Sequence, residues 1–220
     1  MANKIKILFL AADPRDTQRL RLGEEARAIS EAIRRGEERD ALEFASEWAV
    51  RTGDVQAALQ RHQPQIVHFS GHADRTGGIY LEDQDGLARA VGRHALKGLF
   101  SSSGKSVRVV VLNACASLSA VDAFRGVVDY CIGMNRPITD DGARVFAEAF
   151  YGALSSGSGV AEAYEAGKVR LQIEGFEVKI PVLRVRRGAG RWPIEPPPDP
   201  DAPDRADEMQ YLRTLVSRLD

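Results

Sequence analysis

Hydrophobic and polar positions along this chain fall into blocks whose period switches between that of strands and that of helices. Ile5 to Leu10 is an apolar run that reads as a central strand, broken by Asp13-Pro14-Arg15-Asp16. Leu22, Ala26, Ile29 and Ile33 then recur at helical spacing with charges between them, and Gly36 is the stop. Leu42 to Trp48 alternates, as a half-exposed strand does. Thr52-Gly53-Asp54 opens a second helix, Val55 to Arg61, with Asp54 placed to cap it. A buried strand ending in Gly71 and His72 follows from Ile66.

Beyond a loop rich in glycine and charge, Ile79 to Glu82 and Leu87 to Ala90 flank Asp83-Gln84-Asp85-Gly86, a hairpin signal. The pattern then predicts a helix over His94 to Phe100, a turn over Ser101 to Gly104 and a buried strand over Val107 to Leu112. A fifth strand is expected over Val127 to Met134. Thr139-Asp140-Asp141 caps a helix to about Leu154, and Ser158 begins another to about Ile173. Val178 to Val185 reads as a last strand, with Pro181 pointing to an edge position. Strands alternating with helices indicate an α/β fold, a mostly parallel sheet of about six strands with helices on both faces and an inserted β-hairpin.

The character changes after Arg187. We expect a principal domain over residues 1–187 and, over residues 188–203, an extended linker holding many of the ten prolines. Within 204–220, Met209, Leu212, Leu215, Val216 and Leu219 lie at helical spacing. Such an amphipathic helix needs a surface for its apolar face: a partner, the domain itself, or a further module that it opens.

Composition narrows the function classes. At 220 residues, 44% hydrophobic and 28% charged, the chain has ample material for a core. A formal net charge of −1 supplies no global field for nucleic acid or an anionic membrane. No apolar run approaches the roughly 20 residues that span a bilayer, and the N-terminus lacks a secretory pattern. Two cysteines do not make a disulfide framework or a zinc ligand set, so a cytoplasmic location and reduced thiols are expected. There is no phosphate-binding glycine loop, and no cofactor is implied. The basic cluster Arg184, Arg186, Arg187 and Arg191 precedes an acidic tail, and self-neutralisation is expected there.

Candidate chemistry gathers at two strand ends. The runs Ile66-Val67-His68-Phe69-Ser70-Gly71-His72 and Leu112-Asn113-Ala114-Cys115-Ala116-Ser117 each finish in small residues around one reactive side chain. In an open parallel sheet, ligands bind outside the carboxyl ends of the strands, and neighbouring strands lie about 4.8 Å apart. If these two strands are neighbours, His72 and Cys115 share one small site, the arrangement of a cysteine nucleophile with a histidine base. The backbone N–H groups of Ala73 and Cys115 are candidates for holding an oxyanion. The plain alternative is that Cys115 is a small core residue. Of the other candidates, His68 reads as a hydrogen-bonded core histidine, His62 as a helix C-terminal residue, His94 as solvated and Cys131 as core.

These two motifs resemble those of CHAT domains, caspase-like cysteine peptidases related to separases and gingipains. The resemblance extends to Ile7-Leu8-Phe9-Leu10-Ala11-Ala12, Ile132-Gly133-Met134-Asn135 and Phe146-Ala147-Glu148-Ala149-Phe150-Tyr151, and covers about residues 3–186. It implies a caspase-like three-layer sandwich whose last strand is often antiparallel, with His72 as base and Cys115 as nucleophile in peptide-bond hydrolysis. Many relatives have glycine after the active histidine, where this chain has Ala73. By the same resemblance the specificity pocket draws on the end of the first strand and on the position two before the cysteine, here Asp13 and Asn113. Those residues favour a basic or polar side chain before the scissile bond. Asp13 alternatively forms a turn with Pro14, and Asp140 or Asp141 could supply the charge instead.

The expectation is a cysteine endopeptidase acting on protein or peptide substrates, regulated through residues 204–220 as an effector in bacterial signalling or antiviral defence. A catalytically weak or inactive interaction module on the same scaffold is the alternative. A small-molecule hydrolase or nucleotide-binding effector ranks last, for want of a phosphate loop or an acidic catalytic pair.

Overall fold

Alternation along the first strand sets the layering. In the computed structural model, which describes residues 4–74, 76–114 and 117–189, β1 (Ile5–Ala11) sends Ile7, Phe9 and Ala11 to one face of a sheet and Leu8 and Leu10 to the other. The chain continues through α1 (Leu22–Arg35), β2 (Leu42–Glu47), α2 (Asp54–His62) and β3 (Ile66–Gly71). Hairpin strands β4 (Ile79–Glu82) and β5 (Ala88–Val91) lead to α3 (Arg93–Ser103) and β6 (Val109–Ala114). A short α4 (Leu118–Val121), β7 (Tyr130–Met134), α5 (Asp140–Leu154), α6 (Val160–Ile173) and β8 (Pro181–Val185) follow.

The sheet order is β2-β1-β3-β6-β7-β8, with every pairing parallel except β7 with β8. Two cores result. Leu8, Leu10, Val67, Phe69, Val110 and Leu112 pack against the α2, α3 and α4 layer. On the opposite face Ile7, Phe9, Val109, Val111 and Ile132 pack against α1, α5 and α6. Strands β3 and β6 are buried at every position, because helices cover both their faces. The chain leaves β1 to one side for β2 and returns to β3 on its other side, so the sheet's direction of winding reverses at β1. Open α/β sheets place their crevices beside such a reversal, at the carboxyl ends of the strands.

The helices on both faces and the inserted hairpin match the pattern-based expectation, and the antiparallel last strand matches what the resemblance implied; several local details differ. Asp54 is the first residue of α2 rather than its cap, and its Oδ2 accepts the Arg51 N–H at 2.9 Å. Helix α3 runs through Ser101–Ser103 to Gly104, because Leu96, Phe100 and Ser103 share one buried face that prolongs the turn. Strand β6 begins two residues later than expected and runs to Ala114, since β3 pairs with it as far as Gly71. Strand β7 starts only at Tyr130, because the Val127 and Val128 amides bond back to the Phe124 carbonyl at 2.9 and 3.2 Å. The last strand lies at the sheet edge as expected, but it starts at Pro181 rather than at Val178.

The expected neutralisation of the basic cluster takes a different form. Asp129, 2% exposed, pairs with both Arg108 and Arg186, tying the start of β6 to the end of β8. Arg191, most of the expected linker and all of residues 204–220 lie outside the described residues. Among the described residues no helix is long and apolar enough to cross a membrane.

Gly133 in β7 is a packing constraint of the same region. A Cβ there would lie 2.5 Å from Val121 Cγ2 and 3.3 Å from the Ser117 carbonyl oxygen. Gly133→Ala is therefore expected to cost about 1–3 kcal/mol by overpacking, read as a lower urea midpoint with an unchanged m-value.

Candidate active site

The site grows from one register. Strands β3 and β6 pair in parallel with Ser70 opposite Asn113 and Gly71 opposite Ala114. The chain passes directly from Gly71 to His72 and from Ala114 to Cys115. Glycine is required at 71, since a Cβ there would lie 2.6 Å from the Ala12 carbonyl oxygen. That close approach brings the ends of β1 and β3 together.

His72 is half-buried, and its Nε2–H donates to the Gln18 carbonyl at 2.8 Å. A carbonyl can only accept, so this contact fixes the proton on Nε2 and leaves Nδ1 with the lone pair when the ring is neutral. The hairpin holds the backbone beyond it. The Tyr80 N–H donates to the His72 carbonyl at 2.9 Å, and the Asp74 N–H donates to the Gly78 carbonyl at 3.0 Å. These two bonds flank the pair Ala73 and Ile79, which turns the Ala73 N–H away from the hairpin. The Asp74 carboxylate closes the loop by accepting from the Thr76 and Gly78 N–H groups at 2.7 and 2.9 Å. Burial pushes its pKa upward, but these backbone donors and the Thr76 hydroxyl together hold it below the usual carboxylate range.

Cys115 and Ala116 lie outside the described residues; the residues on either side are firmly held. The Ser117 N–H donates to the Ala114 carbonyl at 3.3 Å. Ser117 Oγ donates to the Leu112 carbonyl at 2.8 Å and accepts the Met134 N–H at 2.9 Å, stitching the end of β6 to that of β7.

Asn113 and Asp140 come together in a small cavity at the strand ends, lined also by Gly71 and Ala114. Glu25, Ser70, Leu20, Leu22 and Ile138 line it as well. At the rim the Arg21 N–H donates to Asp140 Oδ2 at 3.0 Å, and the Arg21 guanidinium meets Asp141 Oδ2 at 2.8 Å. That hydrogen bond, reinforced by charge, holds Asp141 below the usual carboxylate range. Thr139 caps α5 as expected, its Oγ1 accepting the Gly142 N–H at 3.1 Å.

Asp13 does not line this cavity. Its Oδ2 pairs with Arg19 at 3.0 Å, and its backbone N–H donates to Glu82 Oε1 of the hairpin at 3.2 Å. The other histidines sit where the pattern placed them. His94 is exposed, and His62, at the end of α2, bonds Glu47 at 2.9 Å and holds that carboxyl low. His68 is fully buried between Glu25 and Tyr151.

Two residues of this region escaped the sequence reading, Glu25 and Tyr151. Glu25 is 4% exposed, and its carboxylate accepts from His68 Nε2, Ser70 Oγ and Asn113 Nδ2. The signal was present: Glu25 stands three after Leu22 and four before Ile29, on the apolar stripe of its own helix. Tyr151 hid in an apolar helix, and its phenol is held well above its usual pKa by burial and by the charge of Glu25. Among the described residues no group of histidine, cysteine and carboxylate side chains could hold a metal ion.

Comparison with known proteins gives this geometry its context. The fold is that of the caspase-like cysteine proteases. It superposes on a secreted C11 cysteine protease from Bacteroides thetaiotaomicron, solved in complex with an irreversible peptide inhibitor, with a TM-score of 0.53. Sequence identity is 14%, over 76% of this chain and 59% of that one. The chain belongs to the CHAT domain family, whose model matches residues 9–174. A probable protease of Gillisia limnaea is 24% identical over 153 residues, 69% of this chain. A Roc-COR-CHAT protease from an unknown prokaryotic organism is 26% identical over 168 residues, 73% of this chain. The matched regions are 27% and 16% of the lengths of those relatives.

Cys131 is buried in the sheet and serves as a chemical control for this site. Burial, and then the charge of Asp122, push its thiol well above the ordinary range. In a Cys115→Ala variant, Cys131 is the one remaining thiol. Ellman's reagent should find less than about a tenth of an equivalent in the native protein and about one after guanidinium unfolding.

Proposed function

We propose that this chain is a cysteine endopeptidase acting by acyl transfer, with His72 as base and Cys115 as nucleophile. The observation that carries the reading is the parallel register ending in Gly71 opposite Ala114, which starts both reactive residues from adjacent strand ends. In the proposed step His72 Nδ1 takes the proton of the Cys115 thiol, because Nε2 is committed to the Gln18 carbonyl. The thiolate attacks the scissile carbonyl carbon, and the carbonyl electron pair moves onto oxygen. The N–H groups of Ala73 and Cys115 receive that oxyanion. Collapse of the intermediate expels the amine, which takes its proton from His72. Water, deprotonated by the same ring, then releases the acid and restores the thiol. The cavity holding Asn113 and Asp140 receives the side chain before the scissile bond; Asp13, paired with Arg19 outside that cavity, is the weaker candidate for that role.

Protein or peptide substrates follow from the protease names of the relatives. We further read the chain as a regulated cytoplasmic effector in bacterial signalling or antiviral defence, coupled to a regulatory module through residues 204–220. Support comes from a relative in which the CHAT protease is joined to Roc and COR and is several times longer than the matched region.

The test is unbiased sequencing of products from a peptide library incubated with the protein and its variants. Cys115→Ala should abolish cleavage, and His72→Ala should lower kcat/KM by about 10²–10⁴-fold, both with an unchanged circular dichroism spectrum. A thiol-directed peptide probe should label Cys115 much faster than Cys131. Cleavage that survives Cys115→Ala removes the nucleophile assignment. Absence of both cleavage and labelling favours the interaction-module reading.

A further inference from the structure

The last strand carries a positively charged groove whose charge the domain does not balance. Strand β8 pairs antiparallel with β7, setting Arg184 opposite Cys131. Arg184 and Arg186 therefore stand on the same face of the sheet as Cys131, the face that packs against α2, α3 and α4 elsewhere. A groove of about 430 Å³ opens there, with Phe124, Val128 and Cys131 in its apolar lining. Four arginines, Arg125, Arg184, Arg186 and Arg187, and two aspartates, Asp122 and Asp129, complete the charged lining. Asp129 is already shared between Arg186 and Arg108, so two cations meet that one anion. Arg125, Arg184 and Arg187 are exposed, and among the described residues none of them forms an ion pair with a carboxylate.

The chain that follows has the opposite charge and departs from the groove itself. Arg187 is part of the lining, and beyond it the Ala189 N–H donates to the Arg186 carbonyl at 3.0 Å. Gly188 holds φ at 76° inside this turn, the positive value that its third position demands. A turn of this kind reverses the chain, so the segment that leaves it starts back toward β8. Residues 195–208 then hold six carboxylates, Glu195, Asp199, Asp201, Asp204, Asp207 and Glu208, against one arginine, Arg205. The seven residues 188–194 reach about 22 Å when extended, enough to bring this acidic run over the groove. Pro197, Pro200 and Pro203 recur every third position, as do Asp201 and Asp204. Three residues make one turn of a polyproline helix, in which prolines at that spacing share one edge and carboxylates another. The groove offers both an apolar and a cationic lining to match.

We propose that residues 195–208 of the same chain dock in this groove, their carboxylates meeting Arg125, Arg184 and Arg187. The tether at Arg187 gives the segment an effective concentration in the millimolar range, so several individually weak surface ion pairs suffice to hold it. Val185, which also lines the groove, pairs with Tyr130 at the start of β7, whereas His72 follows the carboxyl end of β3. The docked segment thus leaves the candidate active site open. Its role is to fix where the apolar stripe of Met209, Leu212, Leu215 and Leu219 begins relative to the domain. The docking follows from charge and chain geometry and is independent of the protease reading.

The experiment attaches a fluorescent dye to Ala202→Cys in the 220-residue chain carrying Cys115→Ala, with the chain lacking the added cysteine as the labelling blank. Time-resolved anisotropy separates dye motion that follows the whole domain from the faster motion of a free segment. At low salt the slow amplitude should dominate. Replacing Arg125, Arg184 and Arg187 together by glutamate should lower it at least about twofold, and about 0.5 M NaCl should do the same by screening. Adding Asp199→Lys, Asp201→Lys and Asp204→Lys to the reversed groove should restore it. If the reversed groove fails to fold by circular dichroism, the three lysine substitutions are read alone, and they should release the dye equally. A slow amplitude that is small at low salt in the native groove, or that charge reversal on neither side changes, overturns the proposal. An amplitude lost on about hundredfold dilution assigns the groove to a second copy of the chain and equally overturns it. Cys115→Ala excludes self-cleavage, so none of these outcomes depends on whether the chain is a protease.

Discussion

The in-register parallel pairing of β3 with β6 is the constraint on which the rest of this structure depends. A slip of one residue would move every side chain of one strand to the opposite helical layer. Phe69 and Leu112 would leave the core they share with α2 and α3, and His68 would leave Glu25. Apolar side chains on both faces hold the register, since neither strand has a solvated side on which a slip could be tolerated. The pairing carries two strand ends to the same level, Gly71 beside Ala114, and the segments beginning at His72 and Cys115 start from there.

Around those ends the protein trades stability for polarity. Glu25, His68, Ser70, Asn113 and Tyr151 could all be apolar in an ordinary core. Desolvating a carboxylate costs several kcal/mol unless donors meet its lone pairs, and three donors meet Glu25 here. The network ties α1 through Glu25, β3 through His68 and Ser70, β6 through Asn113 and α5 through Tyr151. Helices α1 and α5 are joined again at their N-termini by Arg21 with Asp140 and Asp141. The cavity between them is therefore framed by elements that these contacts tie to one another.

The hairpin illustrates how an insertion can serve a site without entering it. Strands β4 and β5 stand apart from the main sheet, yet Tyr80 of β4 and Gly78 just before it bond His72 and Asp74 and hold the backbone just beyond β3. Gly77, at φ 93°, lets the loop approach α4, where a Cβ would lie 2.7 Å from the Ser119 carbonyl oxygen. The residues on both sides of the candidate dyad are thereby drawn to common neighbours.

Much of this was legible in the amino-acid order. Local spacing alone placed the strands and helices, because burial on one face or two leaves a period that survives in the sequence. It also separated His68 from His72, since one lies inside an apolar run and the other at its end. The errors came where a long-range partner sets the boundary: α3 outran its serines because its buried face continues, and β7 waited for Tyr130 because a preceding turn took the amides of Val127 and Val128. Asp13 and Asn113 both follow or end strands and look alike in sequence; only the packed structure put one beside Arg19 and the other onto Glu25. Glu25 was visible as a misplaced charge on an apolar stripe, but its three donors come from residues 43, 45 and 88 positions away. Periodicity determined which residues are buried; tertiary packing alone decided which buried polar groups meet, because hydrogen bonds depend on distance in space and leave no period along the chain.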